Sequence, residues 1–136
     1  MEIKINAFAL CKEIIFDKFS NTFSFIHVLE SIRPALYPFC VNALNLGLIL
    51  DCRKSVEALS LSVACGPQGG IAHQLVRLQL RQLDVGLNKV HVKLGELPLV
   101  QPGWYDCTVI MDDGQGQRLG ATISLFAEKP VNTVNS

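Results

Sequence analysis

The chain is short of charge and of aromatic residues, and it carries no net imbalance of sign. Charged residues fill 18% of its 136 positions, against roughly a quarter in an average soluble protein. Aromatics make up 7%, with Trp104 the single tryptophan. Lys and Arg total 12, Asp and Glu total 12, and 49% of the residues are hydrophobic. Intrinsic disorder needs the opposite balance, low hydrophobicity with high net charge. A bulk nucleic-acid binder needs an excess of cations to neutralise phosphates, and none is present. No CxxC occurs among Cys11, Cys40, Cys52, Cys65 and Cys107. The opening Met1-Glu2-Ile3-Lys4-Ile5-Asn6 has neither a basic region nor an apolar run, so no secretory leader is expected. Five thiols without an export signal read as reduced, buried cysteines of a cytoplasmic protein. Long apolar runs are missing too. The longest charge-free stretch, between Arg33 and Asp51, is broken by Pro34, Pro38, Asn42, Asn45 and Gly47, whereas a membrane helix needs about 20 mostly apolar residues. An outer-membrane barrel needs a leader and aromatic girdles. No membrane partner is expected. The length fits one domain, read as residues 1–128, followed by a flexible tail at 129–136 rich in Pro, Asn, Thr and Ser.

What the chain does have is alternation. Leu44, Leu46, Leu48, Leu50 and Cys52 fall on one parity, with Asn45, Gly47 and Asp51 on the other. After Arg53-Lys54-Ser55, the residues Leu59, Leu61, Val63 and Cys65 alternate with Ser60 and Ser62. Successive side chains of a strand point to opposite faces, so period two marks half-buried strands. The two runs with their short link predict an antiparallel hairpin. Ile71 to Leu83 fits either a strand or a helix, and its neighbours favour a strand. Val90, Val92 and Leu94 alternate with Lys89, His91 and Lys93, and Tyr105, Cys107, Val109 and Met111 share a face. Asp112-Asp113-Gly114-Gln115-Gly116 then turns the chain into Leu119, Ala121, Ile123 and Leu125, the clearest hairpin. Ile3 to Leu10 and Thr22 to Ile32 read as strands, and Lys12 to Phe19 as a strand or a short helical turn.

Short strands at even spacing, separated by Gly and Pro turns, predict an all-β fold: an antiparallel Greek-key β-sandwich, immunoglobulin-like, of seven to nine strands. In Pro102-Gly103-Trp104-Tyr105-Asp106-Cys107 a Tyr precedes a Cys by two, after a turn and at a strand start. A tyrosine corner has this form, its hydroxyl bonding back to the backbone. The antibody-type Trp after a first core Cys is missing.

Ala7-Phe8-Ala9-Leu10-Cys11-Lys12-Glu13, followed by Asn21-Thr22-Phe23-Ser24-Phe25-Ile26-His27-Val28-Leu29-Glu30-Ser31-Ile32, resembles an uncharacterised bacterial family of small β proteins. That family opens with an apolar run into Cys and an acidic residue, then a GKLSIIGIFD-like strand, alternating strands, a PGxY strand and a final hairpin. Here Pro102 to Cys107 stands for the Tyr-bearing strand and Leu119 to Phe126 for the last one. The likeness covers about residues 3–127. His27 and Asn21 stand where the family has Gly, and Glu30 where it has Asp. The resemblance implies a bacterial sandwich and transfers no catalytic residue.

No constellation points to chemistry. Gly114-Gln115-Gly116-Gln117-Arg118-Leu119-Gly120 has one residue too many for a dinucleotide fingerprint, and a strand follows where a helix N-terminus is required. Gly66 to Gly70 lacks the Lys-Ser/Thr of a phosphate loop. His27, His73 and His91 are far apart, and zinc needs three or four converging ligands. Asp112-Asp113 is the only acidic pair, at a hairpin tip. Cys52 and Cys65 sit on the apolar parity, where burial makes a thiol inert. Neither catalytic residues nor a cofactor are expected.

Two features bear on binding. Phe19, Phe23, Phe25, Tyr37, Phe39 and Trp104 lie near strand ends. Ala43, Gly47, Ile49, Ala58 and Ala64 lie on the outer face of the expected central hairpin, where small side chains admit another layer or subunit. The expectation is a non-catalytic binding or assembly module. A neutral chain does little to repel its own copies, so a homo-oligomer, dimer or larger, is expected, open to a protein partner. The alternative is a sandwich binding a small ligand or carbohydrate at its loop end on Trp104. A Cys- or metal-dependent hydrolase comes third.

Overall fold

The computed structural model describes residues 2–130, and every regular element within them is a β-strand. In chain order these are β1 (Ile3–Asp17), β2 (Thr22–Val28), β3 (Ser31–Ile32), β4 (Phe39–Cys52), β5 (Val56–Pro67), β6 (His73–Leu83), β7 (Gly86–Leu99), β8 (Gly103–Asp112) and β9 (Arg118–Ala127). They form a four-stranded sheet, β2-β1-β4-β7, and a five-stranded sheet, β3-β9-β8-β5-β6. All pairings are antiparallel except the short one between β3 and β9. The expected sandwich is present, with nine strands. No helix among the described residues is long and apolar enough to cross a membrane. The residues expected as a tail lie outside the described residues from 131 onward.

One pairing differs from expectation. The zigzag of β4 and that of β5 do not make a hairpin. β4 lies between β1 and β7 in one sheet, and β5 between β8 and β6 in the other. Arg53-Lys54-Ser55 is therefore an arch across the sandwich. Sheets pack about 10 Å apart, and three residues with their flanks span that gap. Leu46, Leu48 and Leu50 of β4 and Leu59 and Leu61 of β5 line opposite walls of one core, all fully buried. Among the described residues, no polar or charged one is buried with them. The small residues expected on one outer face are consequently divided. Ala43, Gly47 and Ile49 belong to the first sheet, and Ala58 and Ala64 to the second.

Around Gly47 the outer face of the first sheet is covered by the chain's own β1–β2 hairpin, while Leu87, His91 and Lys93 on β7 stay exposed. Beyond Cys11, β1 leaves β4 and pairs only with β2. The β1–β2 ladder lacks a bridge at Lys12 and His27, and His27 has φ 54°. Asn45, on the outward face of β4, donates from Nδ2 to the Lys12 carbonyl at 2.7 Å and clasps this bend. The hairpin folds back there. Phe23 packs edge-on against Phe16 and Phe25, and the Lys89 ammonium stands 5.9 Å from the Phe16 ring centre. The Phe25 ring fills the space above Gly47, where any β-carbon would overlap it. Cys11 points outward opposite Asn45, yet it is wholly buried under this cover.

The tyrosine corner is formed. Tyr105, at 2% exposure, donates its hydroxyl to the Gln101 carbonyl at 2.9 Å. The same oxygen accepts from the Val100 and Gln101 amides at 3.1 and 3.3 Å. This pins the crossing from β7 to β8. Replacing Tyr105 with Phe removes the donor and strands two partly buried amides. We expect a loss of about 1–3 kcal/mol in urea unfolding with an unchanged m-value; no loss would contradict a structural role for the hydroxyl.

Candidate functional site

Few chemistry-bearing side chains meet, the fullest juxtaposition being Cys65 on β5, which stands opposite His73 on β6 and Cys107 on β8. His27, His73 and His91 occupy three different strands, and among the described residues no three His, Cys, Asp or Glu side chains converge as metal ligands would. The Nε2 of His91 bonds to Asn45 Oδ1 at 2.8 Å. Burial, then Lys93, hold that imidazole below its ordinary value. Asp112 and Asp113 cap their own hairpin turn, accepting from the Gly114 and Gln115 amides at 2.8 Å each. Gly114 and Gly116 both take positive φ there, as a tight hairpin requires.

All five cysteines are free thiols, and only Cys40 is not fully buried. Burial pushes the Cys11 and Cys52 thiols up. Cys65 and Cys107 stand opposite each other on β5 and β8. Their mutual hydrogen bond, then burial, pushes Cys107 up. The same bond favours the thiolate of Cys65 and lowers it against burial, so Cys65 departs from the rise expected of a core thiol. Cys40 lies in an apolar cleft of about 460 Å³ lined by Leu29, Ile32, Phe39 and Val41. Its Sγ is 3.7 Å from Glu96 Oε2, and burial together with the Glu96 charge pushes the thiol up. Among the described residues, no cation acts on any of these shifted thiols to activate it as a nucleophile.

The β1–β2 hairpin leaves Ile15, Phe16, Phe19 and Val28 largely exposed, and two further surfaces are distinctive. The first is the free edge of β6. Gly66 lets the β5–β6 connection lie tight, since a β-carbon there would overlap the Ile71 backbone. The chain then runs back along β5 and ends the sheet. Leu75, Val76, Leu78 and Leu80 pack against the core but are only half-buried, while their neighbours Leu59, Leu61 and Val63 on β5 are sealed. On the facing sheet the edge strand β7 shows no such rim, because Val90, Val92 and Leu94 are buried. Arg77, Gln79 and Arg81 alternate with the leucines on the outer face of β6 and are exposed.

The second is the end of the sandwich where β8 begins. Trp104, 51% exposed, leans on Phe126 with ring centres 4.8 Å apart. One rung along, Asp106 Oδ1 accepts from Gln68 Nε2 at 2.9 Å and from Ser124 Oγ at 2.8 Å. Of the other strand-end aromatics, Phe23 and Phe25 serve the hairpin cover, Tyr37 bonds the Glu128 carbonyl, Phe39 lines the Cys40 cleft, and Phe19 is fully exposed at the hairpin tip. The alternation of Ile71 to Leu83 marks β6 as a strand. Its place at a sheet edge carries no sequence signal, because edge and centre share one period.

Comparison with family models and with curated proteins gives no match.

Thiol titration checks the burial. In the native protein we expect a disulfide reagent to modify one equivalent, Cys40, and that slowly at neutral pH, with all five reacting in denaturant. Rapid modification of Cys65 or Cys52 would show that the core opens or that a thiol is activated.

Proposed function

We propose that this protein is a non-catalytic, self-associating β-sandwich module of the cytoplasm, allied to the uncharacterised bacterial family it resembles. The unsealed rim at β6 carries this proposal. Three leucines and a valine packed on the core keep part of their surface in water, and covering each is worth at most about 1 kcal/mol. A neutral chain puts little charge repulsion in the way of a second copy. Cys65 stands opposite His73 across β5 and β6, but the thiol is sealed in the core while the imidazole is exposed, which does not favour a nucleophile-base pair and so an enzyme. Sedimentation equilibrium over about a hundredfold range of concentration tests the idea. A concentration-dependent mass rising toward a dimer supports it, and a strict monomer throughout overturns it.

The exposed Trp104 on Phe126 favours a second role, the stacking of a sugar ring. On the neighbouring rung Asp106, Gln68 and Ser124 form a polar cluster able to offer hydrogen bonds to ring hydroxyls. As the sole tryptophan, Trp104 reports directly. Titration with neutral hexose oligosaccharides should change its emission, and Trp104→Ala should abolish heat of binding in calorimetry. An unmoved emission across such a series removes this role.

A further inference from the structure

We infer that Cys65 and Cys107 are a site of reversible oxidation, closing into a cross-strand disulfide when hydrogen peroxide takes two electrons from the pair. The inference does not rest on the self-association proposed above.

Three observations carry it. The first is pairing. Cys65 on β5 stands directly opposite Cys107 on β8, and both point into the core, at 1% and 0% exposure. No other cysteine has a cysteine across its ladder. Cys11 faces Asn45 and Val28, Cys40 faces Pro98, and Cys52 faces Ile3 and Gly86.

The second is the type of rung. In an antiparallel ladder, rungs whose residues exchange backbone hydrogen bonds alternate with rungs that do not. The Gln68 amide donates to the Trp104 carbonyl at 3.0 Å, one rung beyond Pro67 and Tyr105. From that bonded rung the register runs without a shift to Cys65 and Cys107, three rungs on, so theirs is unbonded. The other edge of β8 agrees. The Asp113 amide donates to the Gln117 carbonyl at 3.2 Å. Six rungs along that ladder Cys107 meets Ile123 in a bonded rung, which turns its own amide and carbonyl away from β5. Unbonded rungs are the closer kind, with α-carbons about 4.5 Å apart against about 5.5 Å and side chains nearer together. A disulfide spans about 4.4–6.8 Å between α-carbons, so the bridge needs no break in the ladder.

The third is chemistry. Cys107 donates its S–H to Cys65, which favours thiolate on Cys65 and makes it the attacking sulfur. The Cys65 thiolate takes one oxygen of the peroxide and becomes a sulfenic acid. The O–O bond breaks, and hydroxide leaves as water with the proton Cys65 had given up. The Cys107 sulfur then attacks the sulfenic sulfur. The S–S bond forms, the S–O bond breaks, and the second hydroxide leaves as water with the Cys107 proton. Two thiols and one peroxide become one disulfide and two waters. Burial drives the second step. Among the described residues no polar or charged one is buried in this core, so a sulfenic hydroxyl would sit there unpartnered, whereas a disulfide is apolar. Cys65 lies two residues from the end of β5, beside the edge strand β6, and local fraying of an edge admits an oxidant little larger than water.

The test uses the whole folded chain carrying Cys40→Ser, since Cys40 is the one thiol not fully buried. After hydrogen peroxide, alkylation in denaturant should find two of the four remaining thiols lost. Peptide mass spectrometry should place them in a 65–107 disulfide, and dithiothreitol should return both. The wild-type chain should give the same bond. The chain oxidised in urea should scatter its bonds among the four cysteines. Four intact thiols, a bond between other positions, loss of Cys65 to sulfinic acid with Cys107 still free, or a 65–107 bond equally favoured in urea would each overturn the inference.

Discussion

The fold depends on one apolar interior shared between β4 and β5. These strands occupy inner positions of opposite sheets, and their leucines meet across the gap. With no charged or polar side chain buried among the described residues, the cohesion is that of surface removed from water, about 25 cal/mol per Å². The tyrosine corner adds direction to a force that has none. It fixes where the chain crosses from β7 to β8, and so which sheet β8 joins. Away from this centre the interior is closed unevenly. It is sealed at β7 and thins at β6, and the function proposed for the molecule follows from that difference.

Much of this is legible in the residues. Alternation names the strands and their inward side chains, and the Tyr two before Cys107 names the corner. The partner of a strand is harder to read. Leu44 to Cys65 reads as a hairpin because both runs share a period and a short link. Yet parity says which side chains point inward, not whether the two strands stand side by side or face to face. A discriminating signal lies in the link. Arg53-Lys54-Ser55 has no Gly or Asn to take the positive φ of a tight hairpin, whereas Asp112 to Gly116, joining strands that do pair, has two glycines in that conformation.

The covered outer face shows a second limit. The glycine at position 47 signals that something packs above the first sheet, whereas Ala43 is exposed at a bulge. The sequence is silent on what it is, since an intramolecular cover and a subunit both select small side chains. The cover is the chain's own hairpin, bent at Lys12 and His27 and held by Asn45. His27 takes a left-handed φ at this bend, a conformation that residues other than glycine rarely adopt. The β6 edge, by contrast, is invisible as an edge until the strand order is known.

Amide hydrogen exchange at low and high protein concentration tests the account most directly. If the unsealed rim is where copies meet, exchange should slow with concentration at Val76 to Arg81 and stay constant along β9 and the β1–β2 hairpin. Exchange at β6 that does not respond to concentration, or slowing confined to β9, would contradict it.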